Sequence, residues 1–228
     1  MRTAPRDPGR NRMILAVLAG SALLVAAAVA AFLLLGIGND GEAGTQVGDK
    51  FRADGGTFQT VPAAPNFMLN GRKLAYRHIP NGGVTLPPGY RYSTTPPTSG
   101  IHSDATVIFG IYDEAVPTVS TVHNLEHGAV VIRYGPDVPA SEIDKLREFY
   151  LDDPNGLVVA PTAGLGDKIA LTAWTYDQGR QNDETYEGEG HIATTTRFDE
   201  DAFKAFVDAF RGHGPEPFKV SDLQPGGG

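Results

Sequence analysis

Two histidines four residues apart, His123 and His127, flank Glu126 in the segment "TVSTVHNLEHGAVVIRY" that covers residues 118–134. Imidazole nitrogens and carboxylate oxygens are common protein ligands of Zn²⁺, and imidazole also binds copper. The whole chain has only six histidines in 228 residues. Their spacing beside an acid therefore predicts a chemical role for this segment.

A metal ion shared by the two histidines would require this segment to be helical. Two imidazoles on one ion hold their nitrogens about 3 to 3.5 Å apart, because each Zn–N bond is near 2 Å. Four residues of a strand span about 13 Å, whereas residues i and i+4 of a helix share a face about 6 Å apart. We therefore predict a short helical turn over residues 119–127. Gly128 would end it, because glycine is favoured just after a helix, and the strand "AVVIRY" would follow.

Two further histidines precede this segment. His102 follows "PPTSG" at residues 96–100, where two prolines fix the backbone and Ser99 and Gly100 permit a tight turn. His78 lies in "YRHIP" at the predicted end of a strand. Glu126 would either bind the ion or orient a histidine ring. The sequence thus predicts a copper or zinc site with imidazole and carboxylate members: His78, His102, His123, Glu126 and His127.

Other interpretations of the same residues stay open. "HNLEH" matches the H-x-x-E-H signature of inverted zinc proteases, but that motif lies within a long helix, which Gly128 and the β-branched run would cut short here. Ser99 with a histidine and Glu126 could form a hydrolase triad, although no nucleophile-elbow pattern surrounds it. The histidines could instead be structural, in a non-enzymatic cell-envelope module that meets a protein or cell-wall partner.

Short strands and two clear helices must position these residues. Helices are predicted over residues 141–153, which stop before Pro154, and over residues 199–214, where apolar side chains recur at helical spacing and Arg211 lies in the last turn. Strands are predicted where β-branched or apolar runs lie between Gly or Pro, at residues 73–79, 105–111, 129–134, 157–160 and 168–175.

This order of elements predicts an α+β fold, with the two main helices packed on a mixed sheet in a single domain. Residues 177–197 are polar, acidic and without periodicity, so we predict a long surface loop there. His191, within this segment, is expected to be an exposed loop residue.

An apolar N-terminal segment predicts a membrane anchor. Residues 13–38 contain no charge, and at about 1.5 Å per residue a helix of this length crosses a hydrocarbon core of roughly 30 Å. The apolar region of a cleavable signal peptide is shorter, about 7 to 15 residues. Four arginines precede the span with only Asp7 opposing them, so the N-terminus is predicted to be cytoplasmic and the remainder extracytoplasmic.

The predicted organisation is therefore that of a single-pass membrane protein. The Gly-rich stretch after the span predicts a tether, and "QPGGG" predicts a frayed C-terminus. In chain order the segments are a cytoplasmic stub (1–12), a transmembrane helix (13–38), a flexible tether (39–65), an extracytoplasmic domain (66–220) and a disordered tail (221–228).

Charge and cysteine content exclude several classes of partner and site. Residues 1–38 carry +3, which leaves −11 for the rest of a chain whose net charge is −8. An acidic domain of this kind disfavours nucleic acid as a partner. The chain has no cysteine, so it has no disulfides, and thiolate-bound zinc and iron–sulfur clusters are excluded. The membrane, through residues 13–38, is the one partner that the sequence predicts.

Several motifs together resemble one known family. They are "PPTSGIH" at 96–102, "GIYDEAVP" at 110–117, "VHNLEHGAVVIRY" at 122–134, "ALTAW" at 170–174 and "GPE" at 214–216. They are similar to the DUF3105 family of bacterial, usually membrane-anchored proteins of unknown function, over about residues 78–216. The resemblance implies that His102, His123, Glu126 and His127 belong to the family signature, and it implies no reaction. Family members often have an aromatic residue beside the first signature histidine, where this chain has Ile101 and Ser103.

Overall fold

A six-stranded mixed sheet is the centre of the structure, a computed structural model that describes residues 40–63, 68–69, 72–73, 78–183, 186–216 and 218–227. Counted across the sheet, the first three pairs of neighbouring strands are antiparallel and the last two pairs are parallel. Their spatial order is β1 (Thr57–Pro62), β10 (Glu189–Thr195), β9 (Ile169–Thr175), β7 (Val130–Tyr134), β8 (Leu157–Pro161) and β6 (Gly110–Ile111).

Two pairs of very short strands accompany the sheet. One pair is antiparallel and joins β2 (Met68–Leu69) to β3 (Arg72–Lys73). The other is parallel and joins β4 (His78–Ile79) to β5 (His102–Ser103). Four α-helices complete the described structure: α1 (Asp40–Ala53), α2 (Thr118–Glu126), α3 (Ala140–Asp152) and α4 (Glu200–Phe210).

The sheet buries apolar side chains on both of its faces, because successive residues of a strand point to opposite sides. In β7, Val130 and Ile132 join the larger core cluster, which also holds aromatic residues of α4. Val131 joins a second cluster together with Val122 and Leu125 of α2. The sheet thus lies between a layer that includes α4 on one face and α2 on the other. The compact unit that contains the sheet runs from Ala43 to Gly228.

The predicted α+β class with a mixed sheet is confirmed. The two predicted helices form α3, to within one residue at each end, and α4, which begins at Glu200 and ends at Phe210, before the predicted end at residue 214. Asp199 caps α4, because its side chain accepts a hydrogen bond from the Ala202 N–H. The predicted strands at 129–134, 157–160 and 168–175 form β7, β8 and β9. Of the predicted strand at 105–111, only Gly110 and Ile111 pair in the sheet.

The tether predicted over residues 39–65 is wrong for most of its length. Residues 40–53 form α1 and residues 57–62 form the edge strand β1. The Gly-rich composition of α1 gives poor intrinsic helix propensity, but Val47 and Phe51 are buried, and the Phe51 ring packs against Phe203 and Phe206 of α4. Tertiary packing therefore decides the conformation of this segment.

The disordered tail predicted over residues 221–228 is wrong for residues 221–227. Leu223 is only 2% exposed and belongs to the second core cluster. Phe109 exchanges backbone hydrogen bonds with the chain end, since its N–H donates to the Gly227 carbonyl and its carbonyl accepts from the Gly226 N–H. The C-terminal residues are thus held by a buried leucine and by main-chain pairing.

The surface loop predicted over residues 177–197 is wrong at its C-terminal end, where residues 189–195 form β10. His191 is buried, at 2% exposure. Its ring stacks on Phe210, and its two nitrogens lie 3.0 Å from the Thr60 Oγ1 and 2.8 Å from the Thr175 Oγ1. Burial lowers the pKa of His191 to about 4. The polar sequence of β10 is compatible with a buried strand because neighbouring strands supply hydrogen-bonding partners.

Three further predictions fall partly or wholly outside the described residues. Residues 74–77 of the strand predicted at 73–79 lie outside them, and residues 78–79 form β4. The predicted transmembrane helix at 13–38 and the predicted stub at 1–12 also lie outside them. Within the part of the chain that the structure describes, no helix combines the length and the apolar character that crossing a bilayer demands.

Candidate metal centre

Helix α2 presents the first two site residues, and its form confirms the predicted helical turn. The helix follows Pro117 and ends at Glu126, with His127 as its C-terminal cap. Gly128 follows in the left-handed conformation at φ +88°, which glycine adopts without steric cost. His123 and Glu126 lie three residues apart and therefore share a face of the helix.

The rotation of α2 about its axis is fixed by contacts on its other faces. Val122 and Leu125 pack into the second core cluster. The side-chain amide of Asn124 accepts a hydrogen bond from the Val107 N–H at 2.9 Å and donates one to the Val107 carbonyl at 2.7 Å. The Arg133 guanidinium of β7 donates to the Thr121 Oγ1 at 2.7 Å. These contacts aim His123 and Glu126 away from the sheet and towards β5.

The strand pair β4–β5 brings the other two histidines together, because its register sets His78 opposite His102. Tyrosine hydroxyls hold the residue before His102: the Tyr90 hydroxyl accepts from the Ile101 N–H at 3.1 Å, and the Tyr92 hydroxyl donates to the Ile101 carbonyl at 2.7 Å. The turn after β4 is held by the Asp104 carboxylate, which accepts from backbone N–H groups of residues 81 and 82.

The resulting cluster, which we call the His/Glu cluster, contains His78, His102, His123 and Glu126. One potential ligand atom from each of these residues lies within 4.8 Å of all the others. The Glu126 Oε2 is 2.9 Å from the His102 Nε2, 3.3 Å from the His78 Nε2 and 3.8 Å from the His123 Nε2. His102 is fully buried at 0% exposure, and Glu126 is 3% exposed.

Polar atoms of the His/Glu cluster are buried without hydrogen-bond partners. They are the His78 Nε2, the His102 Nε2, the His123 Nδ1 and the Glu126 Oε2. Buried polar atoms nearly always have a partner, since leaving one unsatisfied costs about 1 to 3 kcal/mol. Four such atoms from four residues lie in one small volume, which is an arrangement that could hold a cation. The donor set of three imidazoles and one carboxylate fits Zn²⁺ or Cu²⁺.

The hydrogen bond of His102 to a backbone carbonyl is compatible with metal binding. The His102 Nδ1 lies 2.7 Å from the Gly100 carbonyl oxygen, and because a carbonyl only accepts, the Nδ1 must carry the proton. In the neutral ring the Nε2 then directs a lone pair at the Glu126 Oε2. Two lone pairs at 2.9 Å repel each other unless a proton or a metal ion lies between them. Metal-binding histidines commonly donate their second N–H to a backbone carbonyl in this way.

The charges of the cluster also favour a cation. Burial alone would raise the pKa of Glu126, but the His102, His78 and His123 imidazoles outweigh it and hold this pKa below its usual value. Burial, together with the neighbouring histidines His127 and His102, lowers the pKa of His123 to about 4. At neutral pH the site therefore presents an ionised carboxylate beside a neutral His123. These are the protonation states that metal binding requires.

His127, the fifth predicted ligand, is not a member of the His/Glu cluster. Its Nε2 lies 3.1 Å from the Glu216 Oε2, and its ring packs against Phe218 at a centroid distance of 4.3 Å. Its ring also lies beside that of His123, at 4.5 Å. Burial lowers the pKa of His127, against the opposing influence of Glu216 and Glu126. His127 thus borders the cluster and pairs with an acid of its own.

A cleft of about 530 Å³ opens beside the His/Glu cluster. Only His78 and Glu126 of the four cluster residues line it. The other walls come from residues that sequence reasoning did not identify as part of the site: Tyr176, Gln178, Gln181, Pro215 and Glu216.

The two hydrolase interpretations receive no support from this geometry. Helix α2 has nine residues and ends at Glu126, whereas the inverted zinc-protease motif belongs to a long helix. Ser99 is 1% exposed, which keeps a substrate from its hydroxyl. His213 is exposed and His191 lies in β10, and neither is in the His/Glu cluster.

Comparison with known proteins gives one match. A family model described as "Protein of unknown function (DUF3105)" matches residues 88–222, more than half of the chain. The matched region includes His102, His123, Glu126 and His127 and leaves out His78. No curated protein and no solved structure matches the chain.

Proposed function

The chain belongs to the DUF3105 family, whose function is unknown, and from this premise we propose that its domain binds one copper or zinc ion through His78, His102, His123 and Glu126. The observation that carries the proposal is the convergence of four potential ligand atoms within 4.8 Å, with buried nitrogens and a carboxylate oxygen that have no hydrogen-bond partner.

The ligand set also bears on which metals would bind. Three imidazoles suit Zn²⁺, Cu²⁺ and Ni²⁺, whereas Cu⁺ prefers the softer thiolate and thioether ligands. An ion bound here would connect two parts of the structure. His123 and Glu126 would bind it from α2, which packs on the sheet, and His78 and His102 would bind it from the β4–β5 pair. In this proposal His127 stays outside the ligand set and supports the ring of His123, while Glu216 orients His127.

Metal uptake by the full chain tests the proposal. Protein purified in detergent, stripped with a chelator and then incubated with Zn²⁺ or Cu²⁺, should retain about one ion per chain after desalting, as measured by elemental analysis. His213→Ala is the matched control, because this exposed histidine lies outside the cluster, and its uptake should equal that of the unchanged chain.

Absence of stoichiometric zinc and copper from the unchanged chain would contradict the metal site. That outcome would favour the alternative of a non-enzymatic cell-envelope module with structural histidines. In that case His123→Ala would lower the melting temperature and remove no ligand binding.

We further propose that residues 13–38 anchor the protein in the cell membrane, with the N-terminus in the cytoplasm and the domain outside. The uncharged run of residues and the preceding arginines support this topology. The full chain should remain in the membrane pellet after alkaline extraction, and added protease should degrade the domain in cells whose cytoplasmic proteins stay intact. A variant that lacks residues 2–38 should be released by the extraction. Protection of the domain from protease in the anchored protein would contradict the orientation.

A further inference from the structure

The four residues of the His/Glu cluster differ in their access to solvent. The His102 side chain is 0% exposed, Glu126 4% and His123 11%, whereas the His78 side chain is 40% exposed. His78 also lies on a strand of only two residues. Of the proposed ligands, His102 and His123 do not line the cleft, Glu126 lines it with a nearly buried side chain, and His78 lines it with the most exposed side chain of the four. A catalytic or exchanging metal site commonly combines three fixed protein ligands with one open position.

The cleft that reaches the cluster is polar and acidic. Glu126 and Glu216 both line it, and the Glu216 side chain is 46% exposed. Gln178 and Gln181 contribute amide groups that hydrogen-bond to each other at 2.6 Å. No lysine or arginine is among the described residues that line the cleft. Arg180, which lies between these two glutamines in the chain, stacks on the Tyr186 ring and pairs with Asp183.

From these two observations, and resting on the proposed metal site, we infer that the cleft delivers a neutral or cationic ligand with amide, amine or hydroxyl groups to the ion on the side of His78. Glu216, the carboxylate of the cleft that does not bind the proposed ion, disfavours an anionic ligand such as a phosphate ester, because no lysine or arginine among the described lining residues offsets its charge. Glu216 determines this selectivity, and His78 is the ligand that exchanges.

Chemical rescue tests the exchange at His78. His78→Gly should weaken Cu²⁺ binding by at least tenfold, and millimolar imidazole should restore it, because imidazole can reach the vacated position through the cleft. His102→Gly is the matched comparison: its position is fully buried, so imidazole should not restore binding. Retained copper after desalting and the electron paramagnetic resonance spectrum are the readouts. Rescue of both variants, or of neither, would overturn the assignment of His78 as the exchanging ligand.

Ligand titrations of the copper-loaded unchanged chain test the selectivity. Imidazole at pH 7.5 should change the copper spectrum, whereas inorganic phosphate at the same concentration should not. Glu216→Gln should strengthen phosphate binding by about threefold or more, because one negative charge leaves the cleft. Glu114→Gln, an exposed acid outside the cleft, should not change it.

The outcomes separate this inference from the metal site itself. A chain that binds copper but whose spectrum responds to neither probe would overturn the inference and leave the metal site standing. A response to phosphate as strong as that to imidazole would overturn the selectivity. A chain that binds no copper or zinc would refute the metal site, and this inference with it.

Discussion

Glu126→Gln should weaken zinc or copper binding by at least 100-fold. The substitution preserves the size of the side chain but removes the one negative charge of the His/Glu cluster, at a position that is 3% exposed. In such a site the attraction between a divalent cation and a carboxylate is little screened by water. A factor of 100 corresponds to about 2.7 kcal/mol of binding free energy. Isothermal titration of the full chain in detergent measures this change directly.

The same variant should lose at least about two-thirds of the thermal stabilisation that the metal provides. An ion at 1,000 times its dissociation constant stabilises the folded state by about 4 kcal/mol, which for a chain of this size raises the melting temperature by roughly 8 to 16 °C. The unchanged chain should show that increase, and so should the surface control Glu114→Gln. A Glu126→Gln protein that still binds metal as tightly as the unchanged chain would show that Glu126 orients a histidine and does not bind the ion.

Gly214→Ala should destabilise the domain by about 3 kcal/mol and weaken metal binding by more than tenfold. An alanine Cβ at this position would lie 2.3 Å from the Glu126 carbonyl oxygen and 2.4 Å from the Gly128 nitrogen. Both are backbone atoms at the C-terminal end of α2, so the clash is relieved only by moving the helix end or the segment that follows α4. Overpacking of this kind typically costs 1 to 3 kcal/mol, and here no flexible side chain can absorb it.

The position of Gly214 is held by hydrogen bonds on either side of it. The Gly212 N–H donates to the Gly128 carbonyl at 2.8 Å, and the Glu216 N–H donates to the Glu126 carbonyl at 3.0 Å. Denaturant unfolding and metal titration of the same preparation would show the two effects together. Gly41→Ala is the control, because within the described part of the chain no atom lies within 4 Å of its added Cβ, and alanine in a helix should raise stability slightly. Equal stability of the Gly214→Ala and unchanged proteins would contradict the close approach.

The spacing of residues along the chain was enough to predict α2, the helix that carries His123 and Glu126, because the residues that determine this helix lie within about ten positions of one another. The spacing of His123 and His127 before Gly128 predicted a short helix that ends at a glycine, and α2 has this form, although His127 lies outside the cluster. Periodic apolar residues likewise predicted α3 and α4. In these three helices the local sequence and the burial of the apolar face favour the same structure. Tertiary contacts therefore did not need to override the helix propensity of the sequence.

The parts that sequence reasoning missed depend on partners far away in the chain. Glu216 pairs with His127 across 89 positions, and neither residue alone indicates the other. The parallel pairing of β4 with β5, which sets His78 beside His102, has no local signature in strands of two residues. Helix α1 and strand β10 have polar or Gly-rich sequences, and both are stabilised by contacts with distant elements: Phe51 with α4, and His191 with Thr60 and Thr175.

The backbone hydrogen bonds from residues 212 and 216 to the end of α2 can form only late in translation, so the candidate site is completed late as well. The ribosome makes the four candidate ligands well before residue 212: His78, His102, His123 and Glu126. The carbonyl groups of Glu126 and Gly128 gain their hydrogen-bond donors only when residues 212 and 216 have been made. A stop codon after Phe210 would remove less than a tenth of the chain and none of the four candidate ligands. Such a truncated protein would keep all four candidate ligands and still lack the backbone hydrogen bonds that hold the end of α2.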